Sequence, residues 1–138
     1  ARYRATLVAP TTSLLPVCHY IEANPVRAGL VAQPADYAWS SYGANAEGND
    51  DPLVTPHREY ARLGRSLKAR HASYARAASS PLADSELATI RDATNKAWVL
   101  GDVPFCQESE GQLNRRALPR PRGGDRRSAA YRRRAGLA

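Results

Sequence analysis

The stretch from Leu14 to Val31 constrains the fold of this chain more than any other part of the sequence. In its first half, apolar side chains recur at helical spacing and predict an amphipathic helix with one face towards a core. These side chains are Leu14, Val17, Cys18 and Ile21. The helix should end at Asn24-Pro25, because a residue before proline is pushed out of the α-helical region, and Gly29 offers a permissive turn position soon afterwards. We therefore expect a helix of about three turns.

Polar side chains border the predicted apolar face. Tyr20 and Asn24 are four residues apart, so they share one edge of the helix, whereas His19 and Glu22 are expected elsewhere on its surface. A tyrosine at such an edge is most often part of the packing, with its hydroxyl hydrogen-bonded. Spacing alone therefore favours a structural role for Tyr20.

Two strings in the sequence resemble a known family. The first is YIEANPVRAGLV at residues 20–31, followed by PADY at 34–37 and WSSY at 39–42. The second is IRDATNK at residues 90–96, with WVLGD at 98–102 and then Phe105. In this order they resemble the REP-associated tyrosine transposases, bacterial relatives of the single-tyrosine HUH transposases of insertion sequences. The resemblance implies a mobile-element protein that acts in DNA transposition and recombination.

The resemblance also implies a reaction and its residues. In the family, a tyrosine attacks a phosphodiester at the foot of a single-stranded DNA hairpin, forming a 5′-phosphotyrosine and releasing a 3′-hydroxyl, and Tyr20 matches this nucleophile. Asn24 matches the position from which related enzymes complete a site for Mg²⁺ or another divalent metal through a side-chain oxygen. Arg27 would lie near the scissile phosphate, although a cation at a helix end explains it equally well. The implied partner is a REP-like hairpin or the end of an insertion sequence.

The family's histidine pair is missing from this sequence. In complete members, an antiparallel sheet of ferredoxin-like topology precedes the tyrosine helix and carries a His-hydrophobic-His metal motif, whereas here His19, His57 and His71 are far apart. The sequence has no methionine and begins within a polar–apolar alternation, Arg2 to Val8, that suits one strand. We therefore expect a C-terminal fragment that is inactive by itself and holds no cofactor alone. A partner subunit is one source for the missing histidines.

The expected fold is mainly α with one N-terminal strand. It resembles the C-terminal part of an α+β ferredoxin-like tyrosine-HUH domain followed by a helical extension. We divide the chain into a transposase part with the nucleophile helix at 1–44, a loop at 45–56, a helical extension at 57–114 and a disordered basic tail at 115–138.

Two helices are predicted early in the extension. Thr55-Pro56 should open the second helix of the chain, whose apolar positions continue to Tyr74. Asp84 or Ser85 should cap a third helix that ends at Gly101, a residue type that suits a helix C-cap.

A fourth helix should begin at Asp102 and pack back on the third through Val103, Phe105 and Leu113. This outline also fits a helix-turn-helix. We favour a plain helical hairpin, because the fourth segment offers acids where a recognition helix would offer Arg, Asn or Gln to bases.

Positive charge is concentrated in two places. The chain of 138 residues has a formal net charge of +7, yet residues 115–138 hold nine arginines against one acid, and residues 1–114 keep eleven basic and twelve acidic side chains. The other basic region is one face of the second helix, which is most often a solvated face and less often a phosphate-binding one. With Arg27, the candidate DNA-binding residues are Arg58, Arg62, Arg65, Lys68, Arg115, Arg116, Arg120 and Arg122.

The remaining features concern location and alternatives. The sequence contains no apolar run of about 18 residues, which a membrane-spanning helix would need. We therefore expect a bacterial cytoplasmic protein associated with the nucleoid. Cys18 and Cys106 fit reduced, buried thiols rather than a disulfide or a metal site. Two alternatives stay open: a non-catalytic basic DNA-binding protein in which Tyr20 is structural, and a decayed reading frame.

Overall fold

The computed structural model describes residues 5–118, in which α1 (Leu14–Glu22) lies between two apolar clusters. The elements after α1 are α2 (Asn24–Arg27), a 3₁₀ turn (Pro34–Asp36), a π-helix (Gly43–Glu47), α3 (Arg58–Ala61), α4 (Leu67–Ala78), α5 (Asp84–Lys96) and α6 (Val103–Leu113). The mainly helical class is therefore confirmed. None of the helices in this part of the chain is long and apolar enough to cross a membrane.

The prediction of an N-terminal strand is wrong for residues 5–8, the part of it that the structure describes. Between residues 5 and 118, the only β-type pairing is one isolated parallel bridge between Val8 and Leu100. A strand needs a series of hydrogen bonds to a neighbouring strand, and one isolated bridge does not provide it. The residues with polar–apolar alternation are therefore not a strand here. Residues 2–4 of the predicted strand lie outside the described residues.

α1 presents two apolar faces rather than the single face that its spacing predicted. The first apolar cluster consists of Ala46, Tyr60 and Tyr74, and the second of Ile90, Ala93 and Leu100. Leu15 and Cys18 pack against the first cluster, whereas Val17 and Tyr20 pack against the second. Ile21, predicted to face the core, is 56% exposed because neither cluster covers its side of the helix.

The Asn24-Pro25 pair does not end helical structure as predicted. α1 ends one residue earlier, Ala23 keeps an α-helical conformation, and Pro25 lies in the first turn of α2. A proline in a first turn costs no hydrogen bond, because the N–H groups there have no intrahelical partner. The predicted turn follows at Gly29, whose φ is +70°.

Glu22 is the main polar residue of the interior, although it was predicted to lie on the surface. It is 1% exposed, and its Oε1 accepts hydrogen bonds from the Ser41 hydroxyl at 2.6 Å and from Asn45 Nδ2 at 3.1 Å. Its Oε2 accepts from the Tyr74 hydroxyl at 2.8 Å. Burial raises the pKa of Tyr74, and the charge and hydrogen bond of Glu22 raise it further, so the phenol remains a donor. Glu22 thus joins α1 to the residues around the π-helix and to α4.

The predicted second helix is two helices. α3 begins after His57, whose Nδ1 accepts from the Glu59 N–H at 3.1 Å, and not at Thr55-Pro56. α4 has its own N-cap, Ser66, whose hydroxyl oxygen accepts from the Ala69 N–H at 3.2 Å. Because Ser66 caps a new helix, the chain can bend between α3 and α4. The apolar residues that were predicted to lie along one helix therefore lie along two helices with different axes.

The predicted loop at 45–56 begins later than expected, because the π-helix occupies its first residues. The π-helix ends at Gly48, which has a φ of +80°, and α4 packs against it. A Cβ on Gly48 would lie 2.5 Å from the His71 ring, so both conformation and contact require glycine there.

The chain after α5 is held by backbone hydrogen bonds to both ends of the described region. The C-cap of α5 is Ala97, which has a φ of 54°, and not the predicted Gly101. The Leu100 N–H donates to Leu7 O at 2.8 Å, the Ala9 N–H donates to Leu100 O at 2.7 Å, and the Val99 N–H donates to Ala117 O at 3.0 Å. Gly101 instead permits close approach, since a Cβ there would lie 2.7 Å from both Ala9 Cβ and Phe105 Cδ1.

α6 begins as predicted but packs through a different face. Asp102 is its N-cap and accepts from the Phe105 N–H at 3.2 Å. Val103 and Leu113 are exposed, however, and the buried residues of α6 are Cys106 and Ser109. Val103 and Leu113 do not pack on α5 as predicted, because the residues that α6 buries face the segment between α5 and α6 and not α5 alone.

We predict that Glu22→Ala lowers the free energy of unfolding by about 3 kcal/mol, because three buried donors lose their acceptor. Urea denaturation measures this change. Glu108→Ala in α6 is the matched control, since Glu108 is exposed and, among the described residues, bonds Gln112 at 3.0 Å, and it should cost less than about 0.5 kcal/mol. Equal costs for the two variants would contradict the role given to Glu22.

Candidate functional site

Tyr20, Asn24 and Arg27, named together here as the Tyr20 site, meet where α1 passes into α2. The guanidinium carbon of Arg27 lies 4.4 Å from the centroid of the Tyr20 ring, a cation–π distance. Arg27 Nη2 also donates to the Tyr20 carbonyl oxygen at 2.6 Å and to Asn24 Oδ1. The short α2 makes these contacts possible, because it turns the chain back and places Arg27 over the end of α1.

The Tyr20 ring is half-buried, with one side against the second apolar cluster. Its hydroxyl makes no hydrogen bond to any residue between 5 and 118. A buried structural tyrosine normally has such a partner, as Tyr74 and Tyr60 do with Glu22 and with the Asn45 carbonyl oxygen. The ring of Tyr20 therefore contributes to packing, while no residue between 5 and 118 occupies its hydroxyl.

Arg27 carries a positive charge that no described carboxylate neutralises. Nη2 makes both of its hydrogen bonds, and no described residue accepts from Nε or Nη1. A guanidinium has five N–H groups, so three remain for a further acceptor. Because its contacts with Tyr20 and Asn24 hold it in place, Arg27 offers an oriented anion-binding group on an exposed surface.

The same contacts make Asn24 a poor metal ligand in this arrangement. Its side-chain oxygen already accepts from a cationic guanidinium, which would repel a divalent metal. Residues 5–118 contain no group of three or more His, Cys, Asp or Glu side chains that could hold a metal ion. The described residues therefore do not fit the divalent metal that the family resemblance implies.

The cations of the predicted basic face differ in whether a carboxylate of the described chain pairs with them. Arg58 and Arg62 both pair with the buried carboxylate of Glu59, at 3.5 and 2.7 Å. Arg65 and Lys68 are exposed, and within residues 5–118 neither has an ion pair. The charge available to a phosphate backbone is thus greater at the start of α4 than along α3.

The predicted tail begins inside the folded part. Arg115 Nη2 donates to the Ala97 carbonyl oxygen at 2.6 Å, Arg116 is exposed, and Ala117 is fully buried. Arg120 and Arg122 lie outside the described residues.

His19 is a half-buried polar residue that the sequence analysis did not single out. Its ring meets the Tyr74 ring edge-on, with centroids 4.7 Å apart, and its Nε2 is buried without a hydrogen-bond partner in the described region. Burial lowers the pKa of His19, and the negative charge of Glu22 opposes this shift. No sequence signal marks His19, whereas Glu22 could have been found, because Leu15, Cys18 and Glu22 recur at the spacing of one helix face.

The two cysteines are free thiols, as predicted. Cys106 is buried, but Cys18 is only half-buried. Burial raises the pKa of both thiols, and the nearby carboxylates raise it further, with Glu22 acting on Cys18. Neither thiol is therefore set up as a nucleophile.

We expect the stability of the protein to fall in mild acid partly through His19. Because the folded state lowers the pKa of His19 below its ordinary value of 6.5, the unfolded state binds the proton more readily. Its contribution is complete above pH 6.5 and is lost as the pH falls below that value. The melting temperature between pH 7 and pH 5 should thus decline less in His19→Phe than in the unchanged protein.

The control for this measurement is Arg91→Gln, a substitution at an exposed position on α5. Its decline in melting temperature with acid should match that of the unchanged protein. A decline in His19→Phe as steep as that of the unchanged protein would contradict the assignment to His19.

The ion pairs of Glu59 lead to a prediction for DNA binding. Replacing Arg65 and Lys68 by glutamine should reduce the slope of log K against log salt by about one unit for each phosphate that is no longer neutralised. Replacing Arg58 and Arg62 by glutamine should reduce it less, because Glu59 already balances one of their two charges. Titration of labelled single-stranded DNA at several salt concentrations measures both slopes, and a larger effect of the second pair would contradict the prediction.

No protein-family model, curated protein or solved structure matches the chain. What the Tyr20 site does must therefore be inferred from its motif and its own chemistry.

Proposed function

We propose that this chain acts in the cleavage and rejoining of single-stranded DNA, with Tyr20 as the attacking group and Arg27 as the cation that binds the scissile phosphate. The observation that carries the proposal is the contact of Arg27 with both Tyr20 and Asn24. These are the three residues that the transposase-like motif singles out. In this proposal the tyrosine helix belongs to a ferredoxin-like transposase domain, as the resemblance implies.

The chemistry assigned to Tyr20 is a phosphoryl transfer. The phenolic oxygen forms a bond to phosphorus and loses its proton to solvent, while the bond from phosphorus to the 3′ oxygen breaks. The 3′ oxygen leaves with the bonding electron pair and takes up a proton, so a 5′-phosphotyrosine and a 3′-hydroxyl result. The reverse reaction rejoins the strand, because the covalent link conserves the energy of the phosphodiester.

Arg27 supports this step through its charge and its unused donors. Negative charge grows on the phosphate oxygens in the transition state, and a pre-oriented guanidinium stabilises it without rearrangement. The hydroxyl of Tyr20 has no described partner that would have to be displaced first. Both properties favour attack on a phosphate bound next to Arg27.

One guanidinium supplies only a small part of the transition-state stabilisation that such a reaction needs. Phenols are poor nucleophiles near neutral pH, and the resemblance implies a divalent metal that the described residues do not fit. We therefore propose that cleavage requires the His-hydrophobic-His pair, supplied by the same polypeptide or by a partner subunit. The chain alone should bind DNA without cutting it.

A non-catalytic DNA-binding protein is the second candidate. It is favoured by the occupied oxygen of Asn24 and by the charges of Arg65 and Lys68, which no carboxylate in the described part of the chain pairs. In that case Arg27 still binds phosphate, but the Tyr20 hydroxyl takes no part.

The decisive prediction concerns a covalent adduct. The chain is mixed with a labelled hairpin strand, Mg²⁺ and a related transposase subunit that carries the histidine pair but has its own tyrosine changed to phenylalanine. An adduct with the mass of this chain should form, should disappear in Tyr20→Phe, and should fall by roughly 10²-fold or more in Arg27→Gln. Denaturing electrophoresis measures the adduct.

Two controls accompany this experiment. Tyr20→Phe should keep its melting temperature and its affinity for the strand, because only a hydroxyl without a described partner is removed. Arg91→Gln, at an exposed position on α5, should leave adduct formation unchanged. An adduct formed by Tyr20→Phe would overturn the proposal, whereas strand binding without any adduct would support the non-catalytic candidate.

A further inference from the structure

Arg27 also lines a cleft, named here the Arg27 cleft, with a volume of about 220 Å³. Its walls come from the α1–α2 junction, from the end of α4 and from the start of α5. The apolar part includes Ala23, Val26, Ala78, Leu82 and Leu87. The polar part consists of Arg27, His19 and Ser80.

The cleft adjoins the Tyr20 site through Arg27, which belongs to both, and through Leu82, which packs beside Tyr20 on the second apolar cluster. Arg27 contacts the Tyr20 ring and lines the cleft, and Leu82 lines the cleft and packs on the second apolar cluster together with Tyr20. A phosphate bound by the unused N–H groups of Arg27 would therefore lie at the boundary between the phenol and the cleft. Whatever group is attached to that phosphate is positioned to enter the cleft.

The size and chemistry of the cleft select what can enter. It is smaller than the roughly 300 Å³ at which pockets for drug-sized ligands begin, so it suits a single ring system and not a duplex. Its walls are mainly apolar, and no carboxylate lies among the described residues that line it. A flat group with apolar faces that is joined to an anion matches these walls and the charge of Arg27.

We propose that the Arg27 cleft binds one unstacked nucleobase of a single DNA strand, next to the phosphate held by Arg27. This inference rests on the proposed function, which brings a single strand to the Tyr20 site. A base in a single strand is already unpaired, so its entry costs little, and apolar contact with its faces compensates the loss of stacking. An apolar peptide side chain would fill the same walls but would leave the charge of Arg27 unused.

The experiment compares two strands that have equal charge. One is an octamer of thymidines, and the other is an octamer of abasic nucleotides with the same phosphates. Fluorescence anisotropy of each labelled strand at one salt concentration gives its affinity. The unchanged protein should prefer the strand with bases by about tenfold, the size expected from contacts to a single base.

Variants that fill the cleft test its part in this preference. Ala78→Phe blocks the cleft from α4, and Ser80→Trp blocks it from an exposed position outside any helix, where folding is least disturbed. Both should bind the two strands equally, with unchanged affinity for the abasic strand. Ala72→Phe, exposed on α4 and absent from the cleft lining, is the matched control and should keep the preference.

The outcomes separate this inference from the proposed function. A preference that survives in Ala78→Phe and Ser80→Trp, or no preference in the unchanged protein, would overturn the cleft as a base site and leave strand cleavage by Tyr20 unaffected. Absence of binding to both strands would overturn the proposed function together with the inference. Equal loss of preference in Ala72→Phe would show that aromatic substitution on α4, and not filling of the cleft, causes the change.

Discussion

The buried carboxylate of Glu22 is the interaction on which the first half of this fold depends. An acid taken from water needs compensation, and here three neutral donors provide it where a cation would be the usual partner. Ser41, Asn45 and Tyr74 are far apart in sequence, so the carboxylate can be satisfied only when α1, the residues around the π-helix and α4 have all come together. The cost of an unsatisfied charge thus selects one arrangement of these elements over looser apolar packings.

The same interaction positions the candidate site. Glu22 is the last residue of α1, and Tyr20 and Arg27 lie on either side of it in the chain. Because the end of α1 is held by hydrogen bonds, the start of α2 and the direction of Arg27 are determined as well. The apolar packing of Val17 and Tyr20 on the second cluster prevents rotation of α1 about its axis. A phenol and a guanidinium can therefore stay in contact on a surface made from short elements.

Sequence patterns predicted the parts that depend on neighbouring residues. The helical class, the start of α6 at Asp102 and the turn at Gly29 all follow from local rules of capping and spacing. Contacts between distant residues were not predictable in this way. Nothing near Glu22 in the sequence indicates its donors.

The failures have the same origin. The break between α3 and α4 depends on which of several capping residues the tertiary structure uses, and it uses Ser66. Ala97 adopts a left-handed conformation that glycine would normally supply, and Gly101 instead permits close approach to Ala9 and Phe105. In the site, spacing placed Tyr20 and Asn24 together but could not show that Arg27 occupies the oxygen of Asn24.

The hydrogen bonds of Val99 and Leu100 determine where the last described residues, and the arginines among them, attach to the fold. Leu7 and Ala117, near the two ends of the described chain, both bond to this short segment, and Leu100 belongs to the cluster under Tyr20. Seven arginines follow Ala117 in the sequence. The hydrogen bond between Val99 and Ala117 therefore holds Arg115 and Arg116 beside the segment between α5 and α6, and the seven later arginines are attached to the chain at that point.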